Sequence, residues 1–584
     1  MTKTIDAAPR ELREYKVQRG KKAAYTRMCY GTPCDIQVEE GNMHWVLFLA
    51  MLWTRKFYCR DFLNVFTPSL QCFPEVHEKT AVVITALMAI LRGNTSITIL
   101  HKDKVYLSPA IPAIERDKVE VVFVKQCAHY DSSQGFLYRT MPRFAPETPE
   151  PFTVICNDLK KKILPGMTHW QHPRFYAYYP AGRPYPDVLA ELLTSAMAFN
   201  IFSWVISSPS NHNHYEGDCN TIGYESCPSL NELENTVVNW IGRAFGLPES
   251  FLFQVKDYQK SSGEAKFETA HDVGKKLVVY CSKDAHSCIE KACKVAMVRC
   301  RPIQPLAANK WGITGGQLEK CILKDIESGL IPTHIHVTLG TSATAADDHL
   351  ESIWPVAKKY HMWIHCDASY SGNAWLDKKY RDNATAIEHV HSINVNLHKF
   401  LLFSGMTCLV WTRERNIYKE AFTTVSLQRR LMQGLYTTDI REWGIHRSRR
   451  NKALKIWMSL RLNGLQGLRY HLNNSVEMCA YFESLVATHP LLKIFSRKLA
   501  LFTFYYEEPG SSKEENNTYT ENLCQFINQS HRLYLTHTKV HDTDLIRVSV
   551  CYERTNKAVI DESWAILKTL IDEFTNRKST SFSL

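Results

Sequence analysis

From about residue 184 the chain alternates helical stretches with short β-branched runs, and this alternation constrains its fold more than any other feature. The runs LVVYCS (277–282), HIHVTL (334–339), MWIHC (362–366) and HSINVN (391–396) read as strands. Between the second and third, DDHLESIWPVAKKY (347–360) places its apolar residues at helical spacing, completing a strand, helix, strand unit. Repetition of that unit builds a mostly parallel, doubly wound α/β sheet, whose ligands bind beyond the carboxyl ends of its strands. A long helical stretch after about 456, the runs LALFTFYYE and LIRVSVCYE, and a final helix from about 557 compose a smaller α+β domain.

Residues 1–140 show no sustained period of 2 or 3.6 and receive no functional assignment. The stretch MPRFAPETPEPF (141–152) is rich in proline, which holds each preceding residue out of the helical region, so an extended linker is expected there. Two apolar runs, WVLFLAMLW (45–53) and AVVITALMAIL (81–91), fall short of the roughly 20 residues of a membrane span and read as buried core. The start of the chain has no apolar stretch behind its charges and does not read as a secretory signal. The 18 cysteines lack repeated spacing, which suits a reducing, cytoplasmic setting. The net charge of +11 is spread along the chain; it is compatible with an anionic ligand, and no zinc-finger, basic-zipper or arginine-rich signature argues for nucleic acid.

Three segments carry chemistry, and each lies just after a strand. In NVNLHKFLL (394–402), Lys399 is flanked by apolar residues; burial would lower its pKa and free the amine to attack an aldehyde, whereas a lysine snorkelling to solvent is the structural alternative. In MWIHCDASYSG (362–372), Asp367 closes a buried-type strand, where a carboxylate wants a cationic partner; a loop-organising aspartate is the alternative. In YCSKDAHSCIEKA (280–292), His286 stands where a helix opens, positioned either to stack on a flat ring or to cap the helix.

Taken together, the order of histidine, a DASY-type segment, then asparagine and His-Lys resembles the group II pyridoxal-dependent amino-acid decarboxylases, the family of aromatic-L-amino-acid and histidine decarboxylases. LPGMTHWQHPRFYAYYP (164–180), LNELENTVVNWIGRAFGLP (230–248) and HVTLGTSATAADDHL (336–350) are also similar to that family, and the likeness runs over about 150–575. It implies an aspartate-aminotransferase-like fold, with a linker and arm at 141–183, a large cofactor domain at 184–455 and a small domain at 456–584. It further implies that Lys399 holds pyridoxal 5'-phosphate as a Schiff base, that Asp367 pairs with the ring nitrogen, and that His286 stacks on the ring. Ser342 would lie near the cofactor, and Asn396 and His398 would help hold its phosphate. The remaining phosphate ligands map to QKSSGEA (259–265), where Ser261 and Ser262 are present and Gly263 replaces a serine. Trp170, Tyr178 and Tyr179 match an aromatic substrate wall shared across a homodimer, and Arg449 an arginine close to the site. Ser448 stands where histidine-selective members tend to carry serine, which with the AYYPA run tilts the substrate toward histidine over an aromatic amino acid.

The chain also departs from the family. The connection after QKSSGEA is shorter, and Gln428 stands near the position of a loop tyrosine that protonates the product carbon, with Tyr436 the nearest substitute. Residues 207–226 look like an insertion, and the spacing of His212, His214, Cys219 and Cys227 fits no standard metal site. The expectation is a decarboxylase converting a small-molecule L-amino acid, histidine or an aromatic one, to its amine, without metal, membrane or nucleic acid. The alternatives are an oxidative, aldehyde-forming variant and an impaired homologue that serves as a binding or dimerising protein.

Overall fold

The computed structural model describes residues 23–29, 32–38, 98–101 and 104–107 by their backbone, and 135–168, 170–179, 182, 184–196, 200–201, 228–253, 274–405, 407–422, 449–450 and 452–581. The chain divides into two compact units, 1–126 and 127–584. In the first, β1 (Ala23–Cys29) pairs antiparallel with β2 (Thr32–Val38), and β3 (Thr98–His101) with β4 (Lys104–Leu107). The apolar runs at 45–53 and 81–91 lie outside the described residues.

In the second unit a short helix, Phe136–Thr140, is followed by an exposed stretch over 141–151 with no regular structure, which its prolines favour, and then by α1 (Phe152–Asp158). Next come α2 (Tyr185–Ala196), the short β5 (Asn200–Ile201) and α3 (Pro228–Phe245). The central sheet is then laid down by β6 (Leu277–Ser282), α4 (Cys288–Ala296), β7 (Arg299–Ile303), α5 (Gly315–Glu327) and β8 (Ile331–Thr338). It is completed by α6 (Leu350–Lys359), β9 (Trp363–Asp367), β10 (Ser392–Asn396) and β11 (Cys408–Thr412). The strand order is β11-β10-β9-β8-β6-β7, with every pair parallel except β10 and β11.

Strand alternation decides which side chains reach which layer. In β6, Val278 and Tyr280 are fully buried, and the Tyr280 hydroxyl donates to Asp325 Oδ2 of α5 at 3.0 Å. Removing each such apolar residue from water contributes about 1.5–3 kcal/mol. The α5 helix starts at a reciprocal capping box between Thr314 and Gln317. The α6 helix opens at Leu350, later than its apolar spacing predicts from 347, because Asp348 is held in the loop. Its buried carboxylate accepts from the Thr338 N–H at 2.7 Å and the Ile313 N–H at 3.0 Å.

After α7 (Arg415–Phe422) and β12 (Arg449–Arg450), which pairs with β5, comes α8 (Ala453–Val486). The backbone leaves the helical region inside α8 at Gly464, with φ 62° and ψ 170°, a conformation that suits a residue without Cβ. The C-terminal part is an antiparallel sheet, β13-β14-β16-β15, formed by β13 (Leu492–Lys498), β14 (Leu501–Tyr506), β15 (Thr536–Val540) and β16 (Thr543–Ser549). It packs with α9 (Lys513–Gln529) and α10 (Lys557–Ser581). Strands β14 and β16 match the two expected runs, while β13, β15 and α9 add to the expected α+β outline.

Candidate active site

The carboxyl ends of β6, β8, β9 and β10 bring His286, Ser342, Asp367, Asn396, His398 and Lys399 to one end of the sheet. Lys399 ends a single helical turn, Leu397–Lys399, that follows β10 directly, and its neighbours Leu397, Phe400 and Leu401 are buried. Its Nζ lies 5.2 Å from the centre of the Tyr179 ring. Burial pushes the Lys399 pKa down, Asp367 pulls it back, and Arg547 pushes it down further. The structure therefore puts the amine under cover, where a neutral nucleophile forms more readily.

Asp367, 8% exposed, is the best-held acid at the site. Its Oδ1 accepts from the Ser369 N–H at 3.0 Å and from Asn394 Nδ2 at 3.1 Å. His336 Nε2 stands 3.5 Å from Oδ2. Burial works to raise the carboxyl pKa, but His336, Ser369 and Lys399 together outweigh it and hold the group far below the usual carboxylate range. Asp367 is thus an anion with no lysine or arginine at contact distance among the described residues, ready for a protonated ring nitrogen.

Behind it runs a directed hydrogen-bond chain. Asn394 Nδ2 also donates to Ser369 Oγ at 2.7 Å, so its Oδ1 is the acceptor, and His365 Nε2–H donates to it at 2.8 Å. His365 Nδ1 then accepts from Ser392 Oγ at 2.8 Å, and Ser392 Oγ accepts from Trp363 Nε1 at 2.9 Å. Burial, followed by His336, pushes the His365 pKa down to about 4, so its ring is neutral and keeps this polarity.

Of the other expected residues, His286 is exposed, and its Nδ1 accepts from the Cys288 N–H at 3.1 Å, so it caps α4 as well as standing at the site. Ser342 offers its carbonyl to Arg547 Nη1. Asn396 has a buried Oδ1 without a partner among the described residues. His398 Nδ1 donates to the Thr407 carbonyl at 3.2 Å, and burial, then the charges of Lys399, Lys452 and Lys455, push its pKa down. Of those lysines, Lys455 is buried and already paired with Glu191 and Asp187. Tyr179 lies against Tyr370, with ring centres 5.0 Å apart, under both Lys399 and Arg547. Trp170 and Tyr178 instead form an exposed stack, 4.8 Å between centres, that continues through Phe175 to Tyr534. Ser261, Ser262, Gly263, Gln428, Tyr436, Ser448 and the 207–226 insertion lie outside the described residues, and Arg449 is described by its backbone in β12 alone. Among the described residues no group of three or more His, Cys, Asp or Glu is arranged to hold a metal ion, and no helix is long and apolar enough to cross a membrane.

Sequence reasoning missed His336, His365, Asn394 and Arg547. The first three sit at every second position of runs already read as strands, which places them on the Asp367 face. Arg547 is a charged residue, 5% exposed, inside the apolar run LIRVSV; its guanidinium lies 5.0 Å from the Tyr179 ring centre.

The pyridoxal-dependent decarboxylase conserved domain matches residues 135–212 and 216–506. Tyrosine decarboxylase 4 of Petroselinum crispum is 31% identical over 471 residues, covering 76% of this chain and 89% of that protein. Phenylacetaldehyde synthase of Arabidopsis thaliana is 29% identical over 455 residues, covering 74% and 89%. The crystal structure of Catharanthus roseus tryptophan decarboxylase in complex with L-tryptophan superposes with a TM-score of 0.67 at 27% identity, covering 79% of this chain and 97% of that one.

Proposed function

Because the chain belongs to the pyridoxal-dependent decarboxylase family, we propose that Lys399 and Asp367 are the two ends of its cofactor grip and that the substrate is an aromatic L-amino acid, released as its amine and carbon dioxide. The enzyme is a pyridoxal-phosphate-dependent carboxy-lyase of the aspartate-aminotransferase-like fold. The observation that carries the site assignment is the pairing of a half-buried lysine of lowered pKa with an ionised buried aspartate at neighbouring strand ends.

The residues present fit pyridoxal 5'-phosphate. Asp367 offers a fixed negative charge to the ring nitrogen, Lys399 an amine to the aldehyde, and Lys452, whose charge reaches His398, would favour the phosphate. Asn396, through its Nδ2 donor, with Ser261 and Ser262 would complete that end, and Ser342 and His286 would flank the ring. When bound, the cofactor supplies a ring that accepts the electrons released as a bond at Cα breaks. Asp367 keeps the ring nitrogen protonated while that charge develops. The Lys399 amine, its pKa lowered by burial, would also be available there as a base. Arg547, buried and cationic beside Tyr179, docks the substrate carboxylate, with Arg449 adding charge. Tyr179 forms the inner wall, and the exposed Trp170–Tyr178 stack suits a wall presented to a partner in a cytoplasmic homodimer.

The aromatic substrate is supported by the similarity to tyrosine and tryptophan decarboxylases. Histidine, favoured by Ser448 and the Tyr178–Tyr179 pair, is the competing choice. A second reading is an oxidative enzyme that uses dioxygen to give aldehyde, ammonia, carbon dioxide and peroxide. It is favoured by Gln428 in place of a loop tyrosine and by the similarity to phenylacetaldehyde synthase. An impaired, binding-only homologue is the third. Incubating the protein and pyridoxal phosphate with carboxyl-labelled tyrosine, tryptophan, L-DOPA and histidine separates them. Labelled gas with amine supports the decarboxylase, gas with aldehyde and peroxide the oxidative variant, and no gas from any substrate overturns both.

A further inference from the structure

Asp367 has about four lone-pair positions, and the cofactor can use only those the protein leaves open. Two, on Oδ1, are taken by the Ser369 N–H and Asn394 Nδ2. On Oδ2, His336 Nε2 stands at 3.5 Å, is 3% exposed with the rest of its ring, and has no hydrogen-bond partner among the described residues. We propose that His336 is a positioning residue for the cofactor's ring nitrogen. It directs Nε2–H at the inner side of Oδ2, so that Asp367 stays ionised and presents one remaining acceptor position to the site. The proposal rests on the cofactor reading above.

The strands dictate this placement. In parallel register Cys281, His336, His365 and Ser392 stand side by side across β6, β8, β9 and β10, and two residues further along the same face come Thr338, Asp367 and Asn394. The titratable and charged groups facing His336 are therefore His334 on its own strand, Cys281 on β6, and His365 and Asp367 on β9, with Lys399 beyond Asp367. The rings of His336 and His365 are 5.3 Å apart, and those of His334 and His365 6.3 Å. Burial pushes His334 down to about 3 and His365 to about 4. Neither neighbour offers a competing positive charge, and His365 is already committed to Asn394 and Ser392. His336 is the one ring of the three aimed at the carboxylate. Without it, burial would act against the Asp367 anion with one opposing group fewer.

The test is the dissociation constant of pyridoxal 5'-phosphate, measured at pH 7.5 by absorbance titration of cofactor-free protein, for wild type, His336→Val and His336→Gln. Glutamine restores an N–H donor near the Nε2 position without the ring. Valine is expected to weaken binding about tenfold and glutamine to stay within about threefold of wild type, with the melting temperature of each cofactor-free variant unchanged. Equal binding by all three overturns the proposal, as does an equal loss in both variants that follows their loss of thermal stability. If the wild-type chain binds no cofactor, the reading beneath the proposal fails and the proposal falls with it. If it binds but the variants match it, the proposal alone fails.

Discussion

Asn394 Nδ2 donates to Asp367 Oδ1 at 3.1 Å across the parallel strands β9 and β10, so the acid is held by a side chain whose own orientation His365 dictates. Asp367→Asn would place an amide against these donors and remove the anion facing the ring nitrogen. The turnover rate should fall by about 10²–10³-fold, in line with loss of one preorganised electrostatic contact, while far-ultraviolet circular dichroism stays native. Turnover within threefold of wild type would refute the role.

The same carboxylate links stability to pH. Its folded pKa lies far below the unfolded value of about 3.9, so below about pH 4 the unfolded chain binds more protons at this position than the native one. Stability from Asp367 is therefore present above about pH 4 and is lost as pH falls toward the folded value. Urea midpoints of the cofactor-free protein should fall more steeply from pH 5 to pH 3 in wild type than in Asp367→Asn, and the gap between them should narrow. Parallel curves would contradict the assignment.

Arg547 donates to two carbonyls, those of Ser342 and Tyr178, and so ties β16 to the loop after β8 while keeping its charge beside Tyr179. Arg547→Lys keeps the charge and loses the planar fork. The expected result is a KM for the amino acid raised at least tenfold, with cofactor affinity within about threefold. Unchanged KM would remove Arg547 from the substrate site.

Tyr179 carries a buried hydroxyl without a partner among the described residues. Deleting such a group relieves an unmet desolvation cost of about 1–3 kcal/mol, so Tyr179→Phe should be at least as stable as wild type in urea. If the variant is less stable by more than about 1 kcal/mol, the hydroxyl has a partner in solution that the structure does not record.

The sheet was legible because β6, β8, β9 and β10 are short apolar runs that lead into chemically conspicuous residues, Asp367 and Lys399 among them. The fine bounds were not, since Asp348 holds the start of α6 through hydrogen bonds to Ile313 and Thr338 that no local pattern announces. In the same way Lys399 and Asp367 could be picked out by type and order. His336 and Arg547 needed the register of the central sheet and the placement of the C-terminal sheet, which bring residues distant in sequence to the same carboxylate and the same ring. Tyr178 and Tyr179 follow one another in the aromatic segment, yet the positive φ of 52° at Tyr178 separates them, sending Tyr179 toward Lys399 and Tyr178 onto Trp170 in the outer stack.

The most direct test of the account is where the cofactor attaches. Protein incubated with pyridoxal 5'-phosphate is reduced with borohydride, digested, and mapped by mass spectrometry. The account predicts one phosphopyridoxyl group, on Lys399, at near one equivalent per chain, and none at that level in Lys399→Ala. Stoichiometric label on another lysine, or none on Lys399, would contradict it.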